Sequence, residues 1–301
     1  MSFRFQFFPV VVLFALLLVG CGGSPEPGGR IAFTSILPHR SVARRIAGDR
    51  FEVYALVGPG QSPHSFSPTP GQMTKLAAAR VFFGAGIAFE EGVVPKIRHI
   101  APRMEIIDLR QDIALREAED HAGHDAAHAH EGHDHHEHGS DPHIWLSPPL
   151  MKRQAATIKD ALVKADPAGQ SLYEKNFGAL AADLDSLDAY LREILGPYEG
   201  ADLFVFHPAF GYFADAYGLR QVPVETGGKE PGARALARLV DKARAQKPAA
   251  IFVQPQFSQK SARAVAGQVG CPVVHINPLP EKYLQEMRRM GETVRQGLRA
   301  R

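Results

Sequence analysis

Cysteine is scarce. The 301 residues hold only Cys21 and Cys271, and once Cys21 is accounted for below, the single remaining thiol cannot close an internal bridge. Stability must therefore come from packing. Long apolar runs are scarce too: Phe7 to Val19 falls short of the ~20 residues a membrane helix needs, and no other stretch is long or apolar enough to cross a bilayer. Excess charge of either sign is missing as well. A formal net charge of +2 gives no ground for expecting nucleic acid or an acidic substrate. His-Glu-x-x-His is also absent, and with it the usual helical signature of a zinc hydrolase.

The apolar run near the N-terminus follows Arg4 and ends in Leu18-Val19-Gly20-Cys21. Its length suits the hydrophobic part of an export signal. Small residues before a cysteine, then Gly22-Gly23-Ser24-Pro25-Glu26-Pro27-Gly28-Gly29, resemble a bacterial lipobox with a flexible tether behind it. Cys21 is then the lipidated first residue of an exported, membrane-anchored chain, facing the periplasm or the cell exterior. An ordinary signal peptide with a chance cysteine is the plainer reading, and it leaves the tether unexplained.

What the chain has in abundance is histidine, concentrated in one place. His121, His124, His128, His130, His133, His135, His136 and His138 are interleaved with Asp125, Glu131, Asp134 and Glu137. Imidazole and carboxylate together suit divalent first-row ions. The irregular spacing argues for several loose, overlapping sites, and the near absence of apolar residues leaves the segment no core to pack into. An idle solvated loop is the bland alternative, and a tag is disfavoured because the run is internal and mixed with acids. His143, in Asp141-Pro142-His143-Ile144-Trp145, differs from these eight: a proline before it and two large apolar residues after it can hold it still.

On either side of that run the pattern alternates strand and helix, which predicts an α/β protein with two strand-helix domains and mostly parallel sheets. Between them Tyr173, Phe177, Leu180, Leu184, Leu187, Leu191 and Ile194 recur at helical spacing. A helix from Gln170 to Leu195 would be roughly 39 Å long, a rigid strut with no residues free to bend as a hinge. The expected organisation is a signal peptide over 1–20, a tether over 21–29, an N-terminal domain over 30–166 containing the His-rich loop 121–138, a connecting helix over 167–197, and a C-terminal domain over 198–301. Ser147 is expected to cap the helix that starts at Pro148-Pro149, and Glu225 and Glu230 read as surface or helix-start residues.

Ligands of parallel sheets bind beyond the carboxyl ends of the strands. His64, in Ser62-Pro63-His64-Ser65-Phe66, lies in such a loop braced by prolines, and His207, in Phe206-His207-Pro208-Ala209-Phe210-Gly211, follows a strand directly. A lone histidine is more often a hydrogen-bonded packing residue than a ligand. Three at strand-end loops beside a metal-collecting run reverse that weighting. His39, His99 and His275 lack such bracing and keep the packing reading, although His275 stands two residues from Asn277 and could support the site from behind.

Taken in order, Pro63-His64-Ser65-Phe66-Ser67-Pro68, Asp141-Pro142-His143-Ile144-Trp145-Leu146-Ser147-Pro148, His207-Pro208-Ala209-Phe210-Gly211-Tyr212-Phe213, Glu230-Pro231 and Asn277-Pro278-Leu279 resemble the cluster A-I solute-binding lipoproteins of bacterial zinc and manganese ABC importers. The resemblance covers nearly all of the chain after the signal. It implies a metal site in the cleft between the domains with His64, His143 and His207 as ligands, a permease and its ATPase as partners, no enzymatic activity, and a monomer. Three imidazoles imply Zn²⁺ rather than Mn²⁺. Asn277 departs from the pattern, because many relatives carry aspartate there; it stands either as a weak fourth donor, leaving water as the alternative ligand, or as a hydrogen-bonding strand cap. Two other functions stay open: a periplasmic zinc chaperone or buffer without a transporter, and a zinc-dependent hydrolase, whose general base no motif supplies.

Overall fold

The computed structural model describes residues 30–118, 139–224, 237, 240, 241, 243–245, 247–257 and 259–299. Cys21, the eight clustered histidines, Glu225 and Glu230 lie outside these, so the expectations placed on them have no structural counterpart here.

The first lobe opens with β1 (Arg30–Thr34), α1 (Leu37–Ala47) and β2 (Phe51–Ala55), followed by α2 (Pro70–Ala77), β3 (Val81–Gly84), α3 (Phe89–Ile100) and β4 (Glu105–Asp108). Its four strands are parallel, in the order β2-β1-β3-β4. Neighbouring residues along each strand serve opposite faces, as the pleat requires. Ala32, Val53, Val81 and Phe83 enter the large central core, whereas Phe33 and Phe82 pack with Leu76, Val93 and Ile97 of α2 and α3. That two-sided burial is why the strands read as apolar runs.

The second lobe repeats the plan with β5 (Asp202–Val205), α6 (Gly211–Ala216), β6 (Arg220–Pro223), β7 (Ile251–Val253), α7 (Gln259–Val269), β8 (Val273–His275) and α8 (Tyr283–Leu298). Its order is β6-β5-β7-β8, again parallel. Phe204, Ile251 and Val253 face Ala262, Val265 and Ala266 of α7, while Leu203, Val205 and Phe252 face the central core.

Between the lobes run α4 (Pro148–Ala165) and α5 (Gln170–Leu195), the latter 26 residues without a break. Ser147 stands at the N-cap of α4 with an extended backbone, yet its side chain makes no capping bond. The expected cap is replaced by Pro148 at the first turn, which has no N–H to satisfy. At the foot of α5, Asp166 accepts hydrogen bonds from Arg50 Nε at 2.6 Å, Arg50 Nη2 at 2.9 Å and the Tyr173 hydroxyl at 2.5 Å, tying both helices to the end of α1. Arg50 holds the Asp166 carboxyl below the usual carboxylate range.

The stripe on α5, comprising Tyr173, Leu180, Leu184, Leu187, Leu191, Ile194 and Leu195, is buried. Each of these side chains contributes roughly 1.5–3 kcal/mol of burial. The stripe packs on α1 and α4 of one lobe and on α8 of the other. One continuous core therefore holds residues of both lobes, Trp145 and Val42 together with Met287 and Val294. At Gly291 of α8 the packing against α5 leaves no room for a side chain, since a Cβ there would run into Leu191 Cδ2. No helix among the described residues is long and apolar enough to cross a membrane.

Candidate metal centre

The segments that follow β2, β3, β5, β7 and β8 line one cavity between the lobes, and the three sequence-expected histidines meet there. His64 sits in the short 3-10 turn Pro63–Ser65 after β2, whose first residue is the buried Pro63. Phe66 anchors the turn against Phe89, with ring centroids 5.0 Å apart. The chain then enters α2 through a capping box: Gln72 N–H donates to Thr69 Oγ1 at 3.2 Å and Thr69 N–H donates to Gln72 Oε1 at 2.9 Å. The His64 loop is thus pinned at both ends.

His143 is fixed by its own neighbours. The Asp141 carboxylate, 4 % exposed, accepts the His143 backbone N–H at 2.9 Å and Nδ1–H at 2.7 Å through one oxygen. That selects the tautomer with Nε2 free to bind a metal. Ile144, Trp145 and Leu146 are all buried. Trp145 Nε1 donates to the Pro278 carbonyl at 2.6 Å and its own carbonyl accepts from the Tyr283 hydroxyl at 2.6 Å, so the His143 segment is fastened to the opposite lobe. The chain leaves the described part of this lobe at Ala118 and re-enters at Gly139 through an antiparallel bridge between Glu117 and Ser140. Ala118 N–H donates to the Gly139 carbonyl at 3.0 Å and Asp141 N–H to the Arg116 carbonyl at 2.9 Å, so these described residues stand side by side.

His207 is the buried member. Its backbone N–H donates to Gln254 Oε1 at 3.1 Å and its carbonyl accepts from Gln254 Nε2 at 2.8 Å. This side-chain clamp takes the place of the ladder bonds that end with β5 and β7. The His207 ring stacks on Phe257 at 4.5 Å between centroids, with planes 23° apart.

Among the described residues, His64, His143 and His207 can each offer one ring nitrogen such that all three lie within 4.8 Å of one another. His64 Nε2 and His207 Nε2 are 3.0 Å apart. Tetrahedral zinc, with bonds of about 2.0–2.1 Å, needs nitrogens roughly 3.3 Å apart, a spacing these rings reach by side-chain rotation. Desolvation, then repulsion from His207 and His143, lowers the His64 pKa to about 4. The outer edge of His64 still faces solvent at the rim; crowding by the other two rings acts in the same direction as desolvation. A neutral imidazole is the form that binds metal.

The cavity is lined by Pro63, Ile87, Pro142, Trp145, Gln256, Phe257, Pro278 and Leu279 besides the three rings, and the space left in it for a water-sized sphere is ≈ 30 Å³. One water needs about 10–15 Å³ on that measure. That space takes an ion with a water. Asn277 is not part of the lining. Its Oδ1 accepts from Leu279 N–H at 3.1 Å and its Nδ2 donates to the Leu279 carbonyl at 3.2 Å, which is the strand-cap alternative rather than a donor turned to the rings. His275 and Asn277 border a separate recess with Lys282 and Arg289, so support of the rings by His275 finds no contact here. His99 is exposed, and His39 is buried against Trp145 and Gln154.

Sequence reasoning assigned no role to Asp141, Gln254, Gln256 or Phe257. Asp141 was visible two residues before His143. The signal for the others is a polar Gln254 closing the apolar run of β7 with Gln256 two residues on, at the strand end beside that of β5.

Two parallel-sheet lobes joined by one long helix are the build of the cluster A-I solute-binding proteins, and in this chain three imidazoles meet in the cleft. The family described as "ZnuA: Zinc-uptake complex component A periplasmic" matches residues 33–297, and the chain belongs to it. It is 30% identical over 285 residues to the zinc-binding lipoprotein AdcA of Streptococcus pneumoniae (strain ATCC BAA-255 / R6), covering 93% of this chain and 56% of that protein, so it spans about half of AdcA. To the high-affinity zinc uptake system protein ZnuA of Bacillus subtilis (strain 168) it is 29% identical, covering 90% of this chain and 87% of that protein. A crystal structure of ZnuA superposes with a TM-score of 0.80 at 33% identity, covering 89% of this chain and 99% of that one. Manganese-binding relatives also occur, among them the lipoprotein MntA of Halalkalibacterium halodurans at 27% identity, covering 88% of this chain and 85% of that protein. The family is one of metal-binding transporter receptors rather than of enzymes.

Proposed function

We propose that this protein is an extracytoplasmic receptor that binds Zn²⁺ through His64, His143 and His207 and delivers it to the permease and ATPase of an ABC importer, held at the membrane by lipid on Cys21. The observation that carries the reading is the meeting of three imidazoles from two lobes in a cavity sized for an ion. Neutral nitrogen donors suit zinc, whereas manganese prefers oxygen donors and higher coordination. A hydrolase needs a general base beside the ion, and no motif in the sequence supplies one. Residues 121–138 serve as the loose collector that raises the local zinc supply, and lobes of roughly 30–166 and 198–301 share the site.

Metal analysis of the purified protein after removal of loosely held ions tests the reading. One tightly held zinc per chain is expected. A protein that retains no zinc, or that retains manganese in preference, would sink it.

A further inference from the structure

The short stretch Gln254-Pro255-Gln256-Phe257 after β7 carries two amides, and the metal reading leaves one of them unused. Gln254 clamps the His207 backbone. Gln256 lines the cavity beside the three rings. Its Nε2 donates to Asn277 Oδ1 at 2.9 Å, and its Oε1 is buried with no hydrogen-bond partner in the protein. The orientation of this amide pair follows from backbone groups whose donor and acceptor identities are unambiguous. Leu279 N–H must meet an oxygen and the Leu279 carbonyl must meet an N–H, so Asn277 presents Oδ1 to Leu279 N–H and to Gln256. Only the NH₂ edge of Gln256 can answer that oxygen, and its own oxygen is left facing elsewhere.

Buried polar atoms ordinarily have partners, and an exception calls for an ion, a water or a function. Other side-chain atoms of this chain lack protein partners too, Arg30 Nε, Ser35 Oγ and His39 Nδ1 among them, but none of these residues lines the metal cavity. We infer that Gln256 addresses the fourth coordination position of the bound ion, its Oε1 accepting a hydrogen bond from the water that completes three imidazoles to a tetrahedron. Asn277 is then a positioning residue: it orients Gln256 and does not touch the metal. Asparagine suits that task where aspartate would not, because an aspartate oxygen would face the Leu279 carbonyl in place of the N–H that Asn277 donates there.

The inference rests on the reading of the three histidines as the zinc site, and the two can fail separately. Zinc affinity by chelator competition, and the visible spectrum of the Co²⁺-loaded protein over a pH series, are to be measured for the full chain, Gln256→Met, Gln256→Glu, Asn277→Ala and the Gln256→Met/Asn277→Ala double variant, with the apo unfolding midpoint of each as a folding check. Gln256→Met keeps the length without the acceptor. It should lower zinc affinity by roughly tenfold, the low end for loss of an outer partner, and should move the pH at which the Co²⁺ spectrum titrates, because that titration reports the metal-bound water. Asn277→Ala should act in the same direction, and the double variant should lose no more than Gln256→Met alone, since both remove one chain of bonds. Gln256→Glu sets an oxygen against Asn277 Oδ1 where an N–H is donated now, so it should shift both the affinity and the pH of the Co²⁺ titration, and wild-type values of both would count against the inference. Additive losses, or a Gln256→Met protein with wild-type affinity and spectrum, overturn the inference while leaving the histidine site standing. A wild-type protein without a tight step, or His64→Ala and His207→Ala variants that keep it, removes the basis of both.

Discussion

Replacing Asp141 probes how the site holds His143 without touching a metal donor. In the folded protein one Asp141 oxygen accepts both the ring Nδ1–H and the backbone N–H of the residue two places on, at 2.7 and 2.9 Å. Asp141→Ala removes a charge-assisted bond of about 1.5–3 kcal/mol and frees the ring to rotate or take the wrong tautomer. Outer partners of this kind are worth about 10–100-fold in affinity, which corresponds to about 1.4–2.7 kcal/mol. The fold should survive, because the backbone bonds at this position, Asp141 N–H to the Arg116 carbonyl at 2.9 Å and the Tyr212 hydroxyl to the Asp141 carbonyl at 3.0 Å, do not involve the lost carboxylate. Asp141→Asn keeps an acceptor but not the charge, so it should fall between alanine and wild type. Chelator competition measures the affinities, and the apo melting temperature controls for folding. Zinc affinity of Asp141→Ala within twofold of wild type would refute the claim that this carboxylate fixes the donor.

Four further outcomes are expected. His64→Ala, His143→Ala and His207→Ala should each weaken zinc binding at least tenfold, since even the outer partners of a ligand are worth about 10–100-fold, with the apo fold intact by circular dichroism; an unchanged tight step for any one of them would remove that residue from the ligand set. Deleting residues 121–138 should abolish weaker zinc-binding events in calorimetry and keep the tight one, and normal growth of zinc-starved cells carrying the deletion would mark the run as idle. His39 is fully buried, and desolvation lowers its pKa to about 4 against the pull of Gln154; the unfolded chain, with a value near 6.5, binds the extra proton first, so stability present above about pH 6.5 is lost as pH falls toward 4, about 2 kcal/mol of it between pH 7 and 5. Urea unfolding of apo protein should show that slope, and a His39→Gln variant with the same slope would contradict its source. Gly178, with open space around it, and Gly291, against Leu191, make an opposed pair: Gly178→Ala should add up to about 1 kcal/mol from helix propensity, whereas Gly291→Ala should destabilise, because overpacking at about 1–3 kcal/mol exceeds the same gain. Matching shifts in both melting temperatures would show that α5 and α8 are not tightly packed.

How far the sequence reaches depends on what a position needs to be read. The strands were legible because burial on both faces writes continuous apolar runs, and α5 was legible to its end residues because its stripe is long and regular. His64 and His207 were legible because strand-end loops of parallel sheets converge; His143, expected in such a loop, follows no strand of either sheet and opens the 3-10 turn Ile144–Leu146, so it was legible only from the proline before it and the apolar residues after it. Asn277 shows where that reasoning stops. It occupies a strand end as expected, but its direction is decided by Leu279 and Gln256, partners that proximity along the chain does not rank. Gln256 escaped for the matching reason: a glutamine after a strand has no chemistry of its own until the neighbour that turns it is known. The Ser147 cap failed because a proline at the next position removed one of the groups a cap would satisfy.

The three rings differ in access: His64 is exposed at the rim, His143 is half-buried and His207 is buried. The lobes, meanwhile, share one core along α5, which runs 26 residues without a break. For an ion held by these rings, that combination bears on rates more than on affinity. An exit that leaves this shared core intact sheds the donors one at a time, beginning with the exposed His64. An incoming donor from another protein can take each surrendered position before the next is given up. Transfer by such associative exchange accelerates with the concentration of the acceptor, whereas escape into free solution stays slow, and a receptor that binds tightly at rest can still deliver quickly on contact.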